Sequence, residues 1–132
     1  MWIQVVALSS GASLGAIARW QLSLWLNSGH AHHIPWGTWA ANAIGTYLIG
    51  FGVTLLQNNP NLDPAWRMLL ITGFLGALTT FSTFSIETVS LFSMGKAGLA
   101  IGNALMNVAG SLLLTWLGLV TGEWWVESHR FS

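Results

Sequence analysis

The chain has 132 residues with four Lys or Arg, four Asp or Glu and four His, so its formal net charge is zero. Charged residues make up 6% and hydrophobic residues 53%, with a mean hydropathy of +0.60, which excludes an ordinary soluble domain, where about 25% of residues are charged. The balance points to one integral membrane domain with no basic field for nucleic acid, and the absence of cysteine removes disulfides, thiolate nucleophiles and Cys-based metal sites.

Four apolar blocks follow one another, at approximately 2–26, 37–56, 68–92 and 98–121. Each is long enough to cross a hydrocarbon core, which takes about 20 helical residues. The first block has no Lys or Arg ahead of it, Arg19 being the first basic residue. It is therefore expected to be a helix rather than a cleaved signal, despite the small residues Ala16 and Ala18. The connectors NSGHAHHIP, QNNPNLDP and SMGK carry the expected turn residues. Trp2, Trp25, Trp36, Trp66, Trp124 and Trp125 fall near block ends, the level of lipid headgroups. Trp20, Trp39 and Trp116 lie further in and are expected to pack between helices. Glycines at helical spacing (Gly11 and Gly15, Gly45 with Gly50 and Gly52, Gly73 with Gly76, Gly98 with Gly102) predict close helix approach.

With four crossings, Arg67 and Arg130 fall on one side, and Lys96 and the end-of-helix Arg19 on the other. Two against two leaves the positive-inside bias nothing to act on. Dual topology is the expectation, with an antiparallel homodimer about a two-fold axis in the membrane plane.

The third block holds the densest polar signal. Seven of the twelve positions 79–90 are Ser or Thr, a costly composition in lipid unless the groups find partners or face a cavity. Phe81, Phe84, Ser85 and Thr88 share one helical face, and Thr80, Thr83 and Glu87 share the next. For any single hydroxyl, bonding back to its own helix is the simpler account; for the set, a lined pathway is expected. Gly73 and Gly76 precede this run and predict a relaxed or broken helix with free carbonyl oxygens. Asn42 is the lone amide within block two and carries two N–H donors. Asn103, Asn107, Ser111 and Thr115 form a ridge at four-residue steps in block four. Interhelical bonding and a pathway role both stand for that ridge, and an Arg19–Glu87 pair is a possibility. His30, His32 and His33 have no acidic neighbour at ligand spacing and read as loop residues rather than a zinc site. No nucleophile with an ordered base or paired carboxylate set is present, which argues against an enzyme.

Gly15-x-x-x-Arg19, Gly37-Thr38-x-x-x-Asn42-x-x-Gly45, the run GFLGALTTFSTFSIE at 73–87 and Asn107-x-x-Gly110-Ser111 together resemble the small microbial fluoride channels called Fluc or CrcB. The resemblance spans nearly the whole chain and is most specific in the third block. It implies an all-α integral membrane protein of four transmembrane helices with a break in the third. It implies further a dual-topology antiparallel homodimer in the inner (plasma) membrane, with two antiparallel fluoride pores and a central structural sodium ion. By position, Phe81 and Phe84 correspond to the aromatic rings of the pore and Asn42 to its amide. Ser82, Thr83, Ser85 and Thr115 correspond to the polar track, Glu87 to a carboxylate near one entrance and Arg19 to the vestibule arginine. Gly76 and Thr79 correspond to the donors of backbone carbonyls to sodium, and Asn107 and Ser111 join the pore set. Trp20 stands where tyrosine is frequent, and Ala77 where a second glycine is. A proton-coupled transporter using Glu87 and a non-transporting assembly protein are the alternatives.

Overall fold

The computed structural model describes residues 1–27 and 33–132. Those residues are helical throughout, with short turns between: α1 (Trp2–Leu26), α2 (Trp36–Gln57), α3 (Pro64–Arg67), a π-helical stretch (Met68–Leu75), α4 (Gly76–Leu78), α5 (Phe81–Ser93) and α6 (Ala97–Arg130). Three segments, Trp36–Gln57, Pro64–Ser93 and Ala97–Arg130, are long and apolar enough to cross a membrane. α1 is not among them; Ser9, Ser10, Ser13, Arg19, Gln21 and Ser23 dilute its 25 residues. Two of the clustered histidines, His30 and His32, lie outside the described residues.

The boundaries follow local chemistry. Asn27 Oδ1 accepts the Gly37 N–H at 2.7 Å, tying the end of α1 to the start of α2. Asp63 caps α3 by accepting the Ala65 N–H at 2.8 Å, with Pro64 at the first helical position, where its missing N–H costs nothing. α5 closes on Gly95 at φ 75°. The N–H groups of Lys96 and Gly95 then bond back to Leu91 O (2.9 Å) and Phe92 O (3.0 Å), the left-handed ending that glycine tolerates without strain. α6 continues past Thr121 to Arg130, with His129 and Arg130 in its last turn, where positive charge opposes the helix dipole.

Packing pairs α1 with the π-helical stretch and α2 with α6, while α5 leans mainly on α6. Small residues make both pairings possible, since helices in lipid associate through close backbone contact rather than hydrophobic exclusion. A Cβ on Gly11 would strike Leu69 O, and one on Gly15 would strike Phe74 O; from the other side, a Cβ on Gly73 would lie 2.7 Å from Leu8 O. In the second pair a Cβ on Gly50 would strike Thr115 O, and one on Gly118 would strike Tyr47 O. Gly98 and Gly102 meet nothing within 4 Å, so those two glycines do not serve packing inside the protomer. Ala41, Leu75 and Leu78 form the buried centre, with Ala18, Leu22 and Phe74 against it. Trp39 meets Trp36 edge-on at 5.9 Å between ring centroids. Trp20 and Trp116 are more than half exposed on the surface of the chain.

Gly118→Ala should lower the thermal unfolding midpoint of the detergent-solubilised protein, because overpacking against backbone costs about 1–3 kcal/mol. Gly98→Ala should be neutral or stabilising, by up to about 1 kcal/mol of helix propensity. Equal midpoints for the two variants would contradict the contact assigned to Gly118.

Candidate functional site: a groove at the interrupted third segment

Between α4 and α5 the chain leaves helical geometry at two residues, Thr79 (φ −81°, ψ 150°) and Thr80 (φ −150°, ψ 122°). Gly76 itself is helical (φ −63°, ψ −34°). The extended residues are thus the two threonines, and Gly73 serves the approach of α1. Extended backbone within an apolar segment exposes peptide groups that lipid cannot satisfy. Asn42 of α2 satisfies both groups of Thr80: its Oδ1 accepts the Thr80 N–H at 2.7 Å and its Nδ2 donates to Thr80 O at 3.1 Å. Thr80 then caps α5, its Oγ1 accepting the Thr83 N–H at 3.2 Å. On the α4 side, Arg19 Nε donates to Ala77 O at 3.0 Å. A cation there opposes the negative end of the helix, besides occupying a carbonyl that has lost its helical partner. Gly45 makes room for Thr79, whose Cγ2 sits where a Cβ would be.

This junction opens onto a groove of about 320 Å³ that brings together Asn42, Thr79, Phe81, Phe84, Asn107 and Ser111, with Thr46, Thr80, Val108 and Leu112 completing its wall. The two phenyl rings lie 5.5 Å apart at 59°. They differ sharply in exposure, Phe84 at 8% and Phe81 at 76%. Phe84 is held within the chain, and Phe81 offers its ring outward.

The remaining candidates are placed differently. Ser82 Oγ lies 3.3 Å from Thr80 Oγ1, beside the cap. Thr83 contributes its backbone N–H to that cap. Ser85 donates to Phe81 O at 2.8 Å and Thr115 to Ser111 O at 2.8 Å, each bonding within its own helix. Thr79 does likewise toward Leu75 O at 2.9 Å. Glu87 stands away from the groove: its Oε1 accepts the Thr38 hydroxyl at 2.6 Å, while Oε2 is buried with no hydrogen-bond partner among the described residues. Arg19 and Glu87 therefore have separate partners, Ala77 and Thr38. Both donors of Asn42 are engaged, one with Thr80 O and one with Asn107 Oδ1 at 3.1 Å.

The ridge of α6 divides in two. Asn103 and Asn107 turn inward, and Asn107 Nδ2 donates to Asn103 O (2.9 Å) and Asn103 Oδ1 (3.1 Å). Thr38 and Thr46 also belong to the site or its support, and sequence reasoning did not place them there; Thr80 and Thr88 were read on the polar faces of the third block and Asn103 on the ridge of the fourth. Asn103 had a signal, four residues before Asn107 on the ridge. Thr46 had none, since a threonine in a membrane helix commonly bonds its own backbone, as Thr46 also does to Asn42 O at 2.7 Å. No group of three His, Cys, Asp or Glu among the described residues is placed to hold a metal ion.

The geometry is an interrupted helix braced by a side-chain amide, two aromatic rings and a polar wall. Residues 6–119 match the family model described as CrcB-like protein, Camphor Resistance (CrcB). Three relatives are each named "Fluoride-specific ion channel FluC". That of Albidiferax ferrireducens is 54% identical over 121 residues, covering 92% of this chain and 92% of its own. That of Variovorax paradoxus is 50% identical over 119 residues, covering 90% and 94%. That of Pseudomonas aeruginosa is 49% identical over 124 residues, covering 94% and 97%. The chain belongs to the CrcB family of membrane ion channels and is not an enzyme.

Proposed function

We propose that this protein is a passive, fluoride-selective channel of the inner (plasma) membrane that lets fluoride leave the cytoplasm and so relieves its toxicity. The observation that carries the reading is the groove at the interrupted third segment, where an amide, hydroxyls and two phenyl rings converge, in a chain about half identical to proteins named as fluoride channels. Fluoride is small and strongly hydrated, so a pore must replace its water with dense hydrogen-bond donors. Asn42, Asn107, Ser111, Ser82, Thr83, Ser85 and Thr115 carry amides and hydroxyls along that route, and in this reading those of Asn42, Asn107, Ser85 and Thr115, which donate to protein oxygens here, turn toward fluoride as it passes. Phe81 and Phe84 present the positive edges of their rings, which attract an anion without the tight grip of a full charge. In this reading Glu87, set back from the groove against Thr38, serves one entrance and Arg19 the vestibule. Weak and repeated contacts favour passage over trapping.

The working unit in this reading is a dual-topology antiparallel homodimer with two antiparallel pores. α1 serves as its fourth crossing, its 25 residues spanning about 37 Å at 1.5 Å per residue. The outward face of Phe81 suits a wall shared with a second copy. A structural sodium ion at the interface would be held by the backbone carbonyls of Gly76 and Thr79. The donor chemistry fits: α4 ends at Leu78, so carbonyls at this junction have no N–H four residues on, and neutral oxygens are the ligands an alkali cation takes. When bound, the ion supplies positive charge between the two subunits. A proton-coupled transporter is the second reading, favoured by the buried and unpartnered Oε2 of Glu87.

Purified protein in liposomes should pass fluoride but not chloride under a potassium gradient with valinomycin; equal fluxes would end the selective-channel reading. Phe81→Ile and Asn42→Asp should each slow fluoride by roughly ten-fold or more, about 1.4 kcal/mol of barrier. Undiminished flux in both would remove these residues from the pore. A pH gradient at clamped voltage should not concentrate fluoride, and uphill accumulation would favour the transporter. Dialysis into sodium-free buffer should lower activity and thermal stability; if neither moved, the Gly76 and Thr79 carbonyls would not be a cation site.

A further inference from the structure

An asparagine amide offers an acceptor on one side and two donors on the other, and its orientation is set by the partners it meets. The buried amides here form one chain whose two ends are backbone groups with fixed roles. The Thr80 N–H can only donate, so Asn42 Oδ1, 2.7 Å away, accepts, and Asn42 Nδ2 must donate onward to Asn107 Oδ1 at 3.1 Å. That leaves Asn107 Nδ2 to donate to Asn103 Oδ1 at 3.1 Å. Asn103 Nδ2 then donates to Thr88 Oγ1 at 3.0 Å, and Thr88 passes its own proton to the Phe84 carbonyl at 2.8 Å, a group that can only accept. Every link runs in one direction. The chain starts at the first residue of α5's cap, crosses α2 and α6, and returns to α5 beneath the second phenyl ring. Its middle is sealed from solvent and lipid, Asn103 being 0% exposed and Asn107 4%.

We infer that Thr88 and Asn103 are positioning residues for the groove. Through this one-way chain they hold the Asn107 amide, and with it the acceptor that Asn42 Nδ2 meets, while Thr88 also bonds the backbone that carries Phe84. One-way chains polarise each member in the same sense, so a loss at one end is felt along the rest. Without the Thr88 hydroxyl, Asn103 Nδ2 is buried and unpaired. A flip that relieves Asn103 turns its Nδ2 toward Asn107 Nδ2, donor against donor. If Asn107 also flips, the same conflict arises at Asn42, whose own orientation is held by Thr80. The functional half of the inference rests on the channel reading above; the structural half does not.

Thr88→Val keeps the shape and removes the hydroxyl, and Thr88→Ser keeps the hydroxyl. In liposomes at dilute protein, the efflux rate reports each active channel, and the fraction of vesicles emptied reports how many folded. Thr88→Val should slow the per-channel fluoride rate on the order of ten-fold with the emptied fraction near wild type, and Thr88→Ser should restore the rate. An unchanged rate in Thr88→Val, or no rescue by Thr88→Ser, would overturn the inference. If Thr88→Val does not fold, Asn103→Leu, of similar branching, replaces it. Wild-type protein that passes no fluoride would defeat the channel reading, and the chain itself is then decided by thermal unfolding of Thr88→Val, Asn42→Ala and the double variant. The chain requires the double shift to be smaller than the sum of the two; additive shifts would refute it.

Discussion

Two consecutive peptide groups of extended backbone in the middle of an apolar segment set the terms for this fold. Hydrocarbon provides no partner for a free N–H or C=O, so Thr79 and Thr80 persist only because other segments come to them. Asn42 answers both backbone groups of Thr80, Arg19 takes the Ala77 carbonyl on the α4 side, and the Thr80 hydroxyl restarts the helix as a cap. The bonds made by Asn42 and Arg19 cross from one segment to another. The interruption is therefore also the place where α1, α2 and the two halves of the third segment are held in register.

Close backbone packing and polar bonding divide the work between them. Away from the interruption, glycines let α1 meet the π-helical stretch and α2 meet α6 with carbonyl oxygens where Cβ atoms would otherwise stand. Those contacts are dry and non-specific in chemistry, and they fix distance. Near the interruption, the partners are amides and hydroxyls with direction, and they fix orientation. A groove lined by Asn42, Asn107 and two phenyl rings follows from having both kinds of contact in one small protomer.

The two rings of the aromatic pair differ sharply in exposure. Phe84 is buried beside α6, whereas Phe81, three residues earlier on the same face, is mostly exposed. Trp20 and Trp116 are exposed as well. Exposure of large apolar side chains is the ordinary state of a chain whose solvent is lipid, so these rings mark the outer face of the helix bundle.

Several features were legible in the residues alone. Low charge and long apolar blocks determined membrane residence, and the crowding of hydroxyls after GFLGAL located the site, because both are properties of composition along one segment. The motifs Gly15-x-x-x-Arg19 and Asn107-x-x-Gly110-Ser111 pointed to the family for the same reason. The rest depended on which segment lies opposite which. Helical spacing placed Phe81 and Phe84 on one face but did not reveal that only one of them is buried. The glycines of the third segment suggested a loosened helix, yet the extended residues are Thr79 and Thr80, because the Asn42 side chain from another helix meets the peptide there. Arg19 read as a helix-end charge and instead turns inward to Ala77. The four-step ridge of α6 gave no sign that Asn103 and Asn107 would face in while Thr115 bonds its own backbone. Periodicity assigns a residue to a face; the packing of three segments around an interrupted one decides what that face meets.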